Sequence, residues 1–246
     1  MQRLKKKTAL VSGASSGIGR ATALVLGAEG AHVVLAARRS ARLEAVAAEI
    51  DSAEVQVLDV CDADRCQEVL GERTFDIVVA NAGLGLGLGS IQEGDPRDWR
   101  RMIDTNVNGL LHVVRATLPQ MIARGSGDHV VLGSVAGFQV YPGGNVYCAS
   151  KYAARAIYEA MRIDAGGHGI RFTTINPGMV ETEFSLVRFD GDARRAKEIY
   201  AGMTPLRAED VADAVLYAVT RPPHVNVGEM VLWPTDQTST SVVHRS

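Results

Sequence analysis

TALVSGASSGIG, residues 8 to 19, opens as a short apolar run, turns on glycines and continues into helical spacing. Thr8–Val11 is too short for a helix and reads as a buried strand, and Ile18–Glu29 carries the apolar periodicity of a helix. Between them, Gly13, Gly17 and Gly19 let the chain bend tightly and bring backbone N–H groups against a phosphate, with the positive end of the helix aimed at the same anion. Gly13, Ser15, Ser16, Gly17, Ile18 and Gly19 are therefore candidate cofactor contacts, in a GxxxGxG rather than GxGxxG spacing. The other reading is a purely structural turn. The later run Leu84–Ser90, LGLGLGS, is a weaker candidate, because no helical pattern starts directly on it.

Outward from this stretch the same alternation continues. Val- and Ile-rich runs at His32–Ala36, Val55–Leu58, Ile77–Ala80, Val130–Leu132, Arg171–Ile175 and Glu229–Leu232 read as further buried strands. Helical patterns fall between them at Ala41–Ile50, Asp64–Leu70, Trp99–Ala123, Tyr147–Ala165 and Ala208–Ala218. Such alternation requires right-handed crossovers over a parallel sheet, so the expected fold is α/β: a doubly wound Rossmann-type domain with a seven-stranded parallel sheet and helices on both faces. No linker or low-complexity tail divides it, and residues 1–246 are expected to form one domain. Two stretches break the pattern, Gly83–Gly94 and the polar segment Glu181–Met203. Both follow a strand, at the end of the sheet where this fold places ligands, and read either as the wall and lid of a site or as ordinary surface loops.

Composition narrows the partners. Hydrophobic residues make up 46% of the 246-residue chain but aromatics only 5%, an aliphatic balance suited to helices on parallel strands. A net charge of -2 gathers no polyanion, so nucleic acid and membrane surfaces are not expected partners and a small molecule is. Cys61, Cys66 and Cys148 have no CxxC spacing and the six histidines no HExxH, so neither a disulfide framework, a zinc site nor any other metal site is expected, and a cytoplasmic setting fits. The basic N-terminus resembles a signal peptide only until Ser12 and Gly13 interrupt its apolar run. No segment approaches the roughly 18 apolar residues of a membrane span.

The end of the second strand selects the cofactor. An acidic residue there would accept hydrogen bonds from the ribose 2′-OH of NAD, but the chain reads Ala36-Ala37-Arg38-Arg39. Two guanidinium groups with no carboxylate favour the 2′-phosphate of NADP(H), unless the pair is simply a solvated helix start. Further on, Tyr147 and Lys151 stand at i and i+4, with roughly 5–6 Å between Cβ atoms on one helical face. A lysine charge about 4 Å from the phenol at an effective dielectric near 20 would supply the roughly 4 kcal/mol that lowers a tyrosine pKa by about 3 units. Ser134, where the strand Val130–Leu132 runs out, lies at the same edge, and Gly143 and Gly144 permit the return that brings the helix beside it. An isolated YxxxK would more often be an ordinary helix face; this context argues for a proton-transfer site.

These residues together resemble the short-chain dehydrogenase/reductase family along nearly the whole chain: Gly13/Gly17/Gly19, Asn81-Ala82-Gly83, Asn106, Ser134, Tyr147/Lys151 and Pro177-Gly178. The resemblance implies Tyr147 as general acid/base, Ser134 as the group orienting the substrate carbonyl, and Lys151 as the group that lowers the tyrosine pKa and holds the nicotinamide ribose. Asn106 is implied to hold a water in a proton relay to Lys151. It also implies cofactor contacts at Asp59 and the adjoining Val60, at Asn81, Ala82 and Gly83, at Pro177, Gly178 and Val180, and at Thr182. Two departures stand out: Ser12 in place of the family's usual Thr, which keeps a hydroxyl, and Ala80 in place of the first Asn of NNAG.

Within the family, GGNVY, NPGMVETEFS, VRFDGDARRA and the closing VHR are similar to NADP-dependent 3-hydroxy acid dehydrogenases acting on serine and allo-threonine. The PTDQ ending is also similar to aldehyde reductases, including one that completes clavulanic acid. A carboxylate substrate needs a cation, and Arg188 is the candidate clamp, the other reading being an exposed arginine paired with Asp190 or Asp192. A non-catalytic NADP(H) sensor of the same fold would need none of Asn106, Ser134, Tyr147 and Lys151 together. Members of the family are usually dimers or tetramers, so a homo-oligomer is expected, with second apolar faces on the two long helices as the meeting surfaces.

Overall fold

The computed structural model describes residues 2–246. Its strands β1 (Thr8–Ser12), β2 (His32–Ala37), β3 (Ala53–Val57), β4 (Ile77–Ala80), β5 (Gly127–Leu132), β6 (Ile170–Pro177) and β7 (Glu229–Leu232) form one seven-stranded sheet in the order β3-β2-β1-β4-β5-β6-β7. Every neighbouring pair is parallel. The chain winds outward from β1 in one direction and from β4 in the other, so the crevice between their carboxyl ends is the switch point where such sheets take ligands.

Alternate residues of each strand feed opposite faces. Ala9, Val11, Val33, Leu35, Ile77, Val79 and Val130 pack beneath α1 (Gly17–Ala28), α2 (Ser40–Ala47) and, through Val211 and Val215, the helix Ala208–Val219. Leu10, Val34, Val78 and Val131 pack on the other face against α3 (Ala63–Leu70) through Cys66 and Leu70, and against later helices through Val113, Tyr158 and Met161. Fully buried leucines such as Leu10 and Leu35 each contribute about 1.5–3 kcal/mol by leaving water. The outer strands β3 and β7 are half exposed, unlike the buried strands expected from their apolar content, because each is a sheet edge with a neighbour on one side only.

The expected helix Trp99–Ala123 is divided. It runs as α4 (Pro96–Ile103), a π-helical turn over Asp104–Asn108, and α5 (Gly109–Arg124). After α6 (Asn145–Asp164), the segment 181–203 is not an irregular loop: it holds two short helices, α7 (Glu183–Arg188) and α8 (Ala193–Glu198), before α9 (Ala208–Val219). Among the described residues no helix is long and apolar enough to cross a membrane, and no cluster of His, Cys, Asp and Glu could hold a metal ion.

One buried group gives the fold a pH signature. His129 of β5 is fully buried, neither ring nitrogen has a partner, and burial holds its pKa down to about 3. The folded chain keeps this ring neutral while the unfolded chain protonates it near 6.5, so its contribution is intact above pH 6.5 and is lost progressively as pH falls toward 3. At pH 5 the loss is about 2 kcal/mol. A His129→Leu variant should therefore melt at a temperature several degrees less sensitive to acidification from pH 7 to pH 5; equal slopes for variant and parent would remove His129 as the cause.

Candidate active site

The switch-point crevice opens into a cavity of about 570 Å³, within the usual range for a small-molecule site. Gly13 makes its floor possible: it lies at φ +68°, and a Cβ there would stand 2.7 Å from the Asn81 side chain. Ser12 ends β1 with its hydroxyl accepting from Asn81 N and Ala82 N, both at 3.0 Å, so the hydroxyl kept at this position fastens the glycine loop to the 81–83 loop. Ala80 is a buried core residue under the same loop.

The cavity is lined by Ser15, Ser16, Gly17 and Ile18 at the start of α1, by Arg38, Arg39, Asp59 and Val60 beyond β2 and β3, and by Asn81, Ala82 and Gly83 beyond β4. Pro177, the last residue of β6, and Gly178, Val180 and Thr182 beyond it close the far side. The N-terminus of α1 opens on the cavity, where its N–H groups could meet a phosphate, and no carboxylate stands at Ala37. Two of the expected residues do not reach the cavity. Gly19 is buried inside α1, where a Cβ would overlap the Gly13 carbonyl, so its role is close packing of helix on loop.

Asn106 is the second, and its position explains the divided helix. Its Oδ1 accepts from Leu84 N at 2.8 Å, and its Nδ2 donates to Leu84 O at 2.8 Å and to Ser150 Oγ at 2.9 Å. These bonds fasten the π-helical turn to the start of the LGLGLGS loop and to α6. The side chain therefore has no donor left for a water. A separate cavity of about 10 Å³ behind the main one is bordered by Asn106, Gly109 and Lys151, at the lower bound of what one water needs.

Ser134, Tyr147 and Lys151 all line the main cavity and are buried. Ser134 caps the turn Val135–Gly137, its hydroxyl accepting from Ala136 N at 3.1 Å. Lys151 donates from Nζ to Leu132 O, the last carbonyl of β5, at 2.8 Å. Burial pulls its pKa down to about 8. The expectation that Lys151 depresses the phenol is not met by the protein groups alone. Burial pushes the Tyr147 phenol well above the ordinary tyrosine value, the neighbouring Tyr141 pushes the same way, and what opposes them is Ser134 and Arg188. The physical reason is burial, the largest influence on the phenol; Lys151, whose one bond in the structure is to the end of β5, is not among the groups that offset it.

Arg188, at the end of α7, does not pair with Asp190 or Asp192. Its Nε donates to Gly87 O at 3.0 Å, its guanidinium carbon sits 5.5, 5.3 and 6.0 Å from the ring centroids of Tyr141, Tyr147 and Phe184, and its buried Nη2 has no partner. Asp59 lies 3.7 Å from the largely exposed Arg38. Arg39 donates to Ser15 Oγ at 3.1 and 2.9 Å and to Ser16 Oγ at 2.8 Å, so it is a built part of the glycine loop rather than a solvated helix start.

Several site residues had no signal in the sequence. Tyr141 and Phe184 complete the aromatic box around Arg188, Ser150 anchors Asn106, and Glu183 bridges Arg39 and Arg42. Gln237 is buried at the cavity edge, its Oε1 accepting from Met179 N at 2.8 Å. The PTDQ tail could have pointed to it; the others meet only in three dimensions.

Comparison with known proteins agrees with this geometry. The chain is 43% identical over 237 residues to sulfoacetaldehyde reductase 2 of Chromohalobacter salexigens, covering 93% of this chain and 94% of the relative. It is 40% identical over 236 residues to serine 3-dehydrogenase of Agrobacterium fabrum, covering 94% of each. Among solved structures, the closed form of a serine dehydrogenase complexed with NADP+ superposes with a TM-score of 0.92 at 38% identity, over 97% of this chain and all of that one. The family profile for short chain dehydrogenase matches residues 7–191, and with the fold, the cavity and these relatives in agreement, the chain belongs to the short-chain dehydrogenase family.

Proposed function

We propose that the protein is an NADP(H)-dependent oxidoreductase for small hydroxy acids and the matching carbonyl compounds, in which the reacting carbon is one carbon removed from an anionic group. The observation that carries this reading is Arg188, whose buried, unpartnered Nη2 shares an aromatic box with Tyr147. A buried donor without a partner is costly, and an anionic substrate group would satisfy it. The named substrates of the two relatives support the same class: serine has its hydroxyl-bearing carbon next to the carbon that carries its carboxylate, and sulfoacetaldehyde has its aldehyde next to the carbon that carries its sulfonate. A 3-hydroxy acid such as serine or allo-threonine fits this pattern.

NADP(H) is the cofactor: Ser15, Ser16, Arg38 and Arg39 would hold its 2′-phosphate end, the α1 N-terminus its pyrophosphate, and Pro177–Thr182 with Lys151 its nicotinamide half. When bound, the dinucleotide supplies or accepts the hydride and, oxidised, adds a positive charge to the site. The chain's own residues manage the proton. Ser134 holds the substrate oxygen, and Tyr147 Oη gives it a proton in reduction and takes one in oxidation. Lys151 keeps two N–H groups beyond its bond to Leu132 O for the ribose hydroxyls, and a water in the small cavity beside Asn106 would connect it to the interior. The segment 181–203 acts as the lid. The setting is cytoplasmic, and exposed Leu111, Tyr152 and Ile163 on α5 and α6 suit assembly into a homotetramer.

Arg188→Met tests the substrate class. It should raise KM for L-serine and for sulfoacetaldehyde by about 10- to 100-fold, the value of one charge-assisted interaction, and leave turnover of a neutral aldehyde such as propanal within about twofold. An L-serine KM no more affected than that of propanal would refute the clamp.

A further inference from the structure

The lid helix α7 is pinned at both ends, to different halves of the cavity. At its C-terminal end Arg188 O accepts from Gly87 N at 3.0 Å while Arg188 Nε donates to Gly87 O at 3.0 Å, so this end closes over the substrate side. At its N-terminal end the Glu183 carboxylate is shared: Oε2 accepts from Arg39 Nη1 at 2.8 Å and Oε1 from Arg42 Nη1 at 2.6 Å. Arg39 is in turn bound to the Ser15 and Ser16 hydroxyls of the glycine loop. Burial pushes the Glu183 carboxyl up, but the bonds from Arg42, Arg39 and Ser16 outweigh it and hold it down to about 2, so the link is ionic throughout the working pH range.

These contacts close the cofactor half of the cavity over its phosphate end. Gly17, at the start of α1, stands directly across from Thr182, a Cβ on it lying 3.3 Å from the Thr182 Cβ, and the Glu183–Arg39–Arg42 cluster continues that seam outward. A dinucleotide between the glycine loop and 177–182 would lie under this seam. Glu183 is the least exposed of the three charges, its side chain 24% accessible against 42% for Arg39 and 52% for Arg42, so one carboxylate holds two cations from the sheltered side.

We infer that Glu183 is a positioning residue that latches the lid to Arg39 and Arg42 and sets the rate at which bound cofactor leaves, independently of the substrate-side fastening at Arg188. This rests on the reading that NADP(H) occupies the cavity. The latch holds Arg39 and Arg42, and because Arg39 also stands at the 2′-phosphate end, release of NADH, which has no such phosphate, reads the latch by itself. Its two halves can be broken separately: Glu183→Gln removes the carboxylate, and Arg42→Met removes a cation whose side-chain bond is to Glu183 alone.

Stopped-flow displacement of NADPH, and separately of NADH, by excess unlabelled NADP+ measures the release rate. Glu183→Gln and Arg42→Met should each speed release of both cofactors about five- to tenfold, corresponding to about 1–1.4 kcal/mol, with association rates within about twofold of the parent. The double variant should be no faster than the faster single one, because both remove the same link. Added salt should accelerate release of NADH more in the parent than in Glu183→Gln. Unchanged release rates in both variants, with the parent binding NADPH normally, would overturn the latch. So would a Glu183→Gln variant that binds NADPH more tightly and NADH no differently, since Glu183 would then compete with the 2′-phosphate. A parent that bound neither cofactor would overturn the underlying reading itself.

Discussion

A Tyr147→Phe variant is expected to bind NADPH within about twofold of the parent affinity and to lose about 10³-fold in kcat, in the middle of the range for a positioned proton donor. The loss should fall on kcat rather than KM, because in the proposed reading the substrate's anionic end would be held by Arg188 and its oxygen would still meet Ser134. The fold should survive. Tyr147 is only 9% exposed and packs with Leu84, Met102, Ala136 and Cys148, contacts that a phenylalanine ring keeps. Its ring also lies 5.5 Å from that of Phe184, and this aromatic contact does not depend on the hydroxyl. Circular dichroism and melting temperature close to the parent values, beside a collapsed kcat, would separate a chemical role from a structural one.

Lys151→Met is expected to trade activity for stability. In the folded chain the ammonium is buried and its pKa lies near 8, below the 10.5 of an exposed lysine. Between those values the unfolded chain binds the extra proton, so stability rises with pH across that window, and below pH 8 the full cost of the buried charge is present. That cost is about 3 kcal/mol, offset by about 1 kcal/mol for the bond to Leu132 O. Methionine fills a similar volume without a charge, so the cofactor-free variant should melt roughly 4–8 °C higher at pH 7 and lose the rise in stability between pH 8 and 10. Turnover should fall about 10²-fold as the site loses the proposed ribose donor and its positive charge. A variant that melts no higher than the parent at pH 7 would show that the buried ammonium carries no such cost.

Most of the architecture was legible because parallel strands buried on both faces read as short Val- and Ile-rich runs separated by helical spacing. The edge strands β3 and β7 misread for the same reason: apolar content does not say whether a strand has one neighbour or two. Tyr147 and Lys151 were legible as a pair because a helix fixes the geometry of i and i+4. The direction of the Lys151 ammonium was not, since the end of β5 that claims it is 19 positions away in sequence. The π-helical turn at Asn106 was not legible because the bonds that fasten it run to Leu84 and Ser150, far away in sequence. Glu183 was invisible for the same reason, its partners Arg39 and Arg42 lying 144 and 141 positions upstream.

The proton role of Tyr147 is tested most directly by the pH dependence of single-turnover oxidation of L-serine by the enzyme saturated with NADP+. The chain's own groups hold the phenol above the ordinary tyrosine value, so any ionisation in the working range must come from the assembled site, where Lys151 and the cofactor cation would act together. In the parent, the rate should rise through one ionisation well below the value near 10 of free tyrosine, and in Tyr147→Phe the residual rate should show no such limb. A Tyr147→Phe enzyme that oxidised L-serine at the parent rate, through the same ionisation, would contradict the assignment.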